Sequence, residues 1–195
     1  MALKSVFLRA LAILLLCLTL TCSITHATPS ITTPNPLRAN QEIQLTIDYK
    51  PDDALRTRFD SYRVFLALTP PGRGTGAACW LSGRQRLATT QVAVAIPADA
   101  APDRSQVRIS TGLFAKGGAA ARTSGYSYGP GATLVGANGT WSRRELDGWT
   151  VGDAEEMPCR ALGCARGCYE RYYTGDRSRY SADDASEKEA DDCAD

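Results

Sequence analysis

Between residues 31 and about 134, apolar side chains recur at every second position in short runs. Ile43, Leu45, Ile47 and Tyr49 alternate with Glu42, Gln44, Thr46 and Asp48. That period of two buries one face of a strand and wets the other. Tyr62, Val64, Leu66 and Leu68 repeat the pattern, with Phe65 and Ala67 between them. This strand is therefore expected to be covered on much of both faces and to lie centrally in its sheet. Val92, Val94 and Ile96 alternate with Ala93 and Ala95, and Val107, Ile109, Thr111 and Leu113 follow the same rule. Weaker strand candidates are 30–33, 79–81 and 132–135.

Turn chemistry separates these runs. Lys50-Pro51-Asp52-Asp53, Thr69-Pro70-Pro71-Gly72, the stretch 97–103, Gly117-Gly118 and Gly129-Pro130-Gly131 break strands with fixed-φ prolines, Asx residues and glycine. No helix of ordinary length is suggested before residue 150. About seven short strands in roughly 105 residues predict an all-β antiparallel sandwich of immunoglobulin or fibronectin type III style. The antibody-type Cys-Trp-Cys spacing is missing, so no inter-sheet disulfide is expected. After Gly136 the composition changes. Trp141, Leu146 and Trp149 sit in a polar, glycine-punctuated segment, and residues 160–173 hold few helix breakers. Residues 174–195 are polar and acidic, the composition of a flexible tail.

The first 27 residues have another character. Lys4 and Arg9 precede a leucine-rich stretch over 10–20, and Thr25-His26-Ala27 reads as a small-residue cleavage site. This is the layout of a secretory signal peptide, too short in its apolar part to span a bilayer. The expected organisation is a leader over 1–27, a sandwich over 28–136, a cysteine-rich and partly helical appendage over 137–173, and the tail over 174–195. Cleavage of the leader leaves a released protein with no membrane anchor. It also leaves 168 of 195 residues, with 20 basic against 21 acidic side chains. That balance argues against a nucleic-acid binder. The one histidine, His26, leaves with the leader. Without imidazole the mature chain has no Ser-His-Asp triad or Cys-His pair and lacks the commonest zinc ligand. No cofactor or metal is expected, and enzymes that use only carboxylates on sugars are the catalytic class left open.

Five cysteines follow the leader: Cys79, Cys159, Cys164, Cys168 and Cys193. Outside the cytosol the expectation is disulfides, with one thiol left over. A four-thiolate metal site over the last four is the weaker reading, because the spacing lacks paired CxxC. Cys79 is expected to bond the C-terminal segment or to be buried. Cys164, Cys168 and Tyr172 fall four apart, on one face of a predicted helix. The two cysteines would then reach different partners, with Cys159 and Cys193 the leading candidates. Asn138-Gly139-Thr140 is an N-glycosylation sequon. Arg143-Arg144 is a dibasic pair in an expected loop, a candidate processing site whose plainer reading is two solvated arginines. Tyr169, Arg171, Tyr172 and Tyr173 form an aromatic and basic cluster, read either as a contact surface or as the cover of a small core. Asp52 with Asp53 and Asp99 with Asp103 lie in turns, where aspartate bonds backbone.

Three stretches carry a family likeness: Tyr62-Arg63-Val64-Phe65-Leu66-Ala67-Leu68 running into Pro71-Gly72-Arg73-Gly74, then Val94-Ala95-Ile96-Pro97, then Gly112-Leu113-Phe114 with Gly117-Gly118-Ala119. Over roughly 31–135 the chain resembles small secreted fungal proteins with an immunoglobulin-like fold, in particular the necrosis-inducing secreted effector family of plant-associated fungi. It is similar more weakly to the N-terminal domain of fungal cell-wall glucan-assembly proteins. The first resemblance implies an effector released into the host apoplast that acts on host immunity by contact. The second implies a structural or glycan-binding role at the fungal wall. The segment from Trp141 onward departs from the effector pattern, and no binding residue is carried over. The expectation is a secreted, non-enzymatic interaction protein whose partner is a host or cell-wall protein or polysaccharide.

Overall fold

The computed structural model describes residues 28–50, 53–117, 125–173 and 175. The leader, Cys193 and residues 176–195 lie outside the described residues. The chain folds into two sheets. The smaller runs β1 (Ser30–Thr32), β3 (Glu42–Asp48) and β7 (Gln91–Ala95), all antiparallel. The larger runs β2 (Leu37–Arg38), β9 (Ser127–Val135), β8 (Gln106–Ala115), β4 (Phe59–Leu68) and β5 (Gly76–Trp80), and β6 (Gln85–Arg86) also pairs with β4. Strand β2 is parallel to β9, and every other pairing in this sheet is antiparallel. Among the described residues there are three α-helices: α1 (Asp53–Arg58), α2 (Arg143–Leu146) and α3 (Leu162–Tyr172).

Alternation places one apolar face of each sheet against the other. Leu45, Ile47, Val92 and Val94 from the small sheet share one buried cluster with Tyr62, Val64, Leu66, Ile109 and Leu134 from the large one. The result is the immunoglobulin/fibronectin III-like sandwich that the strand pattern predicts. Two hydroxyls cross the apolar gap. The Tyr49 hydroxyl donates to Thr111 Oγ1 at 2.6 Å, and that of Tyr62 donates to the Thr89 carbonyl at 2.6 Å. Strand β4 is central, and Val64, Phe65, Leu66, Ala67 and Leu68 are all buried. Its outward Phe65 joins Ala77, Phe114 and Ala154 in a second, smaller cluster.

The strands depart from the sequence pattern in two ways. Strands β2 and β6 are two residues long, too short to show alternation. Strand β9 runs through Gly129-Pro130-Gly131, which reads as a turn. Its partner β8 slips register between Arg108 and Ser110, and β2 covers β9 only at Leu134 and Val135. Pro130 therefore sits on an open strand edge, where a missing N–H costs no ladder bond. A side chain at Gly129 would collide with Ile31 of β1, so glycine lets the two sheets approach there.

The C-terminal segment binds two sheet edges. Strand β5 ends its sheet, and residues 157–158 lie along it: the Trp80 N–H donates to the Met157 carbonyl at 2.9 Å, and Trp80 bridges Pro158 in parallel. Covering an edge in this way removes a template for unwanted strand pairing. At the other side α3 packs against the turn Ala98–Ala100 that follows β7, the edge of the small sheet. Val151, Cys159, Leu162, Ala165 and Tyr169 enter the same buried cluster as the sheets.

Candidate interaction surfaces

The seam between α3 and the sandwich is built around one ion pair. Ser142 caps α2, accepting from the Glu145 N–H, while Glu145 Oε2 accepts from the Ser142 N–H and hydroxyl, both at 2.9 Å. The same carboxylate receives a fork from α3: Arg166 Nε at 2.9 Å and Nη2 at 2.8 Å. Arg166 Nη1 donates to the Asp99 carbonyl at 2.8 Å, and the guanidinium lies 5.6 Å from the Trp141 ring. Both charged side chains are more than nine-tenths buried. One cluster thus joins α2, α3 and the turn after β7. A pair removed from water this far persists only when its lone pairs and protons are satisfied, as they are here.

A disulfide fixes the other end of the seam. Cys79 on β5 bonds Cys159, 80 residues away, beside the turn Cys159–Ala161 that leads into α3. This is the expected bond from Cys79 to the C-terminal segment, and it takes Cys159 away from Cys164 and Cys168. Cys168 is buried and also disulfide-bonded, whereas Cys164 is a free, exposed thiol. Cys164, Cys168 and Tyr172 follow one another at four-residue spacing on the helix, as expected, but only Cys168 of the three is buried. The helix turns Leu162, Ala165, Arg166, Cys168 and Tyr169 inward, at the spacing of an amphipathic stripe.

The same stripe bears on two site readings. Tyr169 and Tyr173 are buried and Tyr172 packs partly against the core, leaving Arg171 exposed. Tyr169 and Tyr173 thus cover a core, the second of the two meanings open in the sequence. The Tyr173 hydroxyl donates to Asp147 at 2.6 Å. The dibasic pair is equally committed. Arg144 is buried, donates Nε to the Thr150 carbonyl at 2.7 Å and stacks 4.6 Å from the Tyr169 ring. Arg143 is exposed and held by Glu170, which raises its pKa, chiefly through their hydrogen bond. Of the two arginines expected to be solvated, Arg143 is and Arg144 is not, and both lie on α2. The S-x-x-E capping signature of Ser142 and Glu145 carried this information in the sequence, and the adjacent arginines drew attention from it.

Beside the ion pair lies a cleft of about 500 Å³ lined by Asp99, Asn138, Thr140, Trp141, Gly167 and Glu170. Trp141 packs one part against the core and lines the cleft with another. Asn138 and Thr140 of the sequon are exposed. Gly163 also lines the cleft, and a side chain there would run into the Asp99 carboxylate. An aromatic ring flanked by carboxylate, amide and hydroxyl groups suits an uncharged polyol or sugar: the ring takes the C–H face and the polar groups take hydroxyls.

The outer face of the large sheet carries a different chemistry. Arg63 lies between Trp80 and Phe114, 5.2 and 5.4 Å from their rings, and donates to the Glu155 carbonyl at 2.6 Å. Burial and then the neighbouring Arg84 push its pKa down. Its Nε has no hydrogen-bond partner among the described residues. Next to this stack, Tyr126 meets Phe65 edge-on at 5.0 Å and Tyr128 is exposed. Among the described residues no three His, Cys, Asp or Glu side chains converge as a metal site, and no helix is long and apolar enough to cross a membrane. No protein-family model matches the chain, and no curated protein matches it.

Proposed function

We propose that the chain is a secreted, non-enzymatic interaction protein, an effector of a plant-associated fungus that acts by contact in the host apoplast or on host immunity. The observation that carries the reading is the Cys79–Cys159 disulfide, which locks the C-terminal segment to a sheet edge downstream of a leader-like N-terminus. Such a bond persists in an oxidising exterior. The resemblance over roughly 31–135 adds the effector role. Oxidised protein infiltrated into leaves is expected to cause cell death or mute the oxidative burst. Folded protein that does neither overturns the effector role.

A second reading, a wall or glycan-binding protein, is favoured by the Trp141 cleft. Retention on insoluble β-glucan or chitin, lost in Trp141→Ala, is its expected signature. The exposed sequon qualifies it. A glycan on Asn138, read as a mass shift removed by a glycosidase, would stand at the mouth of that cleft and compete with any external sugar.

A further inference from the structure

We propose that a corner of the sandwich remote in sequence from the Trp141 cleft binds an acidic polysaccharide, a chain bearing repeated carboxylates. Five exposed cations converge there from three separate stretches: Arg56 and Arg58 of α1, Arg84 and Arg86 at β6, and Lys116 just after β8. Backbone pairing fixes the convergence. Helix α1 runs directly into β4. Ser61 of β4 opposes Arg86, Phe59 opposes Ala115, and the Lys116 N–H donates to the Arg58 carbonyl at 3.0 Å.

Between the arginines lies a recess of about 560 Å³ over the buried Phe59 and Leu87. Asp60 is the one acid among its lining residues, and it accepts from the Ser61 hydroxyl at 2.6 Å. Arg56, Arg58, Arg86 and Lys116 make no ion pair with a residue whose side chain is described, which leaves out residues 51–54. Against a chain whose formal net charge is +1, this is a strong local bias. Arginine forks fit carboxylates in pairs, and four of the five cations are arginine. Ser61 and Gln85 at the same recess can bond hydroxyls between the charges.

The same features select against other polyanions. A single-stranded nucleic acid would use bare aromatic rings, but the rings here are Phe59 and Phe114, both buried, with Arg58 and Arg84 on their faces at 5.3 and 4.3 Å. A lipid surface would use exposed apolar side chains beside the cations, and the apolar groups here form the floor of a recess.

The inference does not depend on the effector role or on the cleft. Its test is calorimetric titration of the full oxidised protein with polygalacturonate at low and high salt. Binding that weakens with salt is expected. Arg56→Gln with Arg86→Gln is expected to lower affinity tenfold or more with the thermal midpoint unchanged, and Trp141→Ala to leave it unchanged. Absence of binding at low salt overturns the proposal. So does binding indifferent to the paired substitution, or corner-dependent binding to anionic vesicles or single-stranded DNA that exceeds binding to polygalacturonate.

Discussion

The gap between the sheets and the seam under α3 are both buried, yet they are filled by different means. Across the gap, rows of Leu, Ile and Val meet with Tyr49 and Tyr62 supplying the two crossing hydroxyls. Under α3, a disulfide, a buried ion pair and the stacked, hydrogen-bonded Arg144 join an apolar contact made by Leu162, Ala165 and Tyr169. Apolar packing tolerates any side chain of similar volume. A fork from Arg166 onto Glu145 tolerates no substitute for either end. The sandwich should thus accept conservative change, whereas the seam should fail when one member is lost.

The largest expected effect is loss of the Cys79–Cys159 bond. Freeing an 80-residue loop costs roughly 4–5 kcal/mol by chain entropy. Cys79→Ser with Cys159→Ser should release α3 first, and hydrogen exchange should show its amides losing protection while β3, β4 and β8 keep theirs. Equal loss in both regions would merge the two into one cooperative unit and end the comparison. Next in size is the ion pair. Arg166→Met alone leaves Glu145 buried without its partner and should cost about 3–5 kcal/mol in urea denaturation. Arg166→Met combined with Glu145→Leu should recover most of that loss. Leu45→Met, the matching change between the sheets, should cost less than about 1.5 kcal/mol. If the double variant is no better than the single one, the seam depends on the capping and carbonyl contacts of these residues more than on their mutual charge.

The same contrast governs what could be read from the sequence. Strands β3, β4, β7 and β8 were legible because alternation is a local signal repeated over four or more positions. Phe65 and Ala67 even marked β4 as central. Strands β2 and β6 left no such trace, and Pro130 concealed the length of β9. In the seam, partners are 80 residues apart for Cys79 and Cys159 and 21 apart for Glu145 and Arg166. Composition does not pair them. A local cue did exist in Ser142-x-x-Glu145, but Arg143-Arg144 within it suggested an exposed loop. The tyrosines of α3 were read with both meanings open, and the inward stripe through Leu162, Ala165 and Tyr169 decides between them. The basic corner is illegible for a further reason: Arg56, Arg86 and Lys116 form no run in the chain and meet only through strand pairing.

The smallest effect probes the polar contacts in the apolar gap. Burial raises the pKa of Tyr49 well above its usual value, with nearby Tyr62 adding to the rise and the Thr111 contact offsetting part of it. Burial pushes Tyr62 up to about 12. The unfolded chain ionises its tyrosines near about 10. Below that pH both states keep the proton, and the stabilisation from these buried phenols is fully present. Above it the unfolded state releases protons that the fold retains, so stability falls by as much as about 1.4 kcal/mol per pH unit for each such tyrosine. For Tyr62 the fall ends near the folded value of about 12. Tyr49→Phe should cost about 1 kcal/mol at neutral pH through the lost hydrogen bond to Thr111. It should also flatten the decline in the thermal midpoint between pH 10 and 12. Parallel declines in the two proteins would mean that alkaline unfolding begins outside the gap.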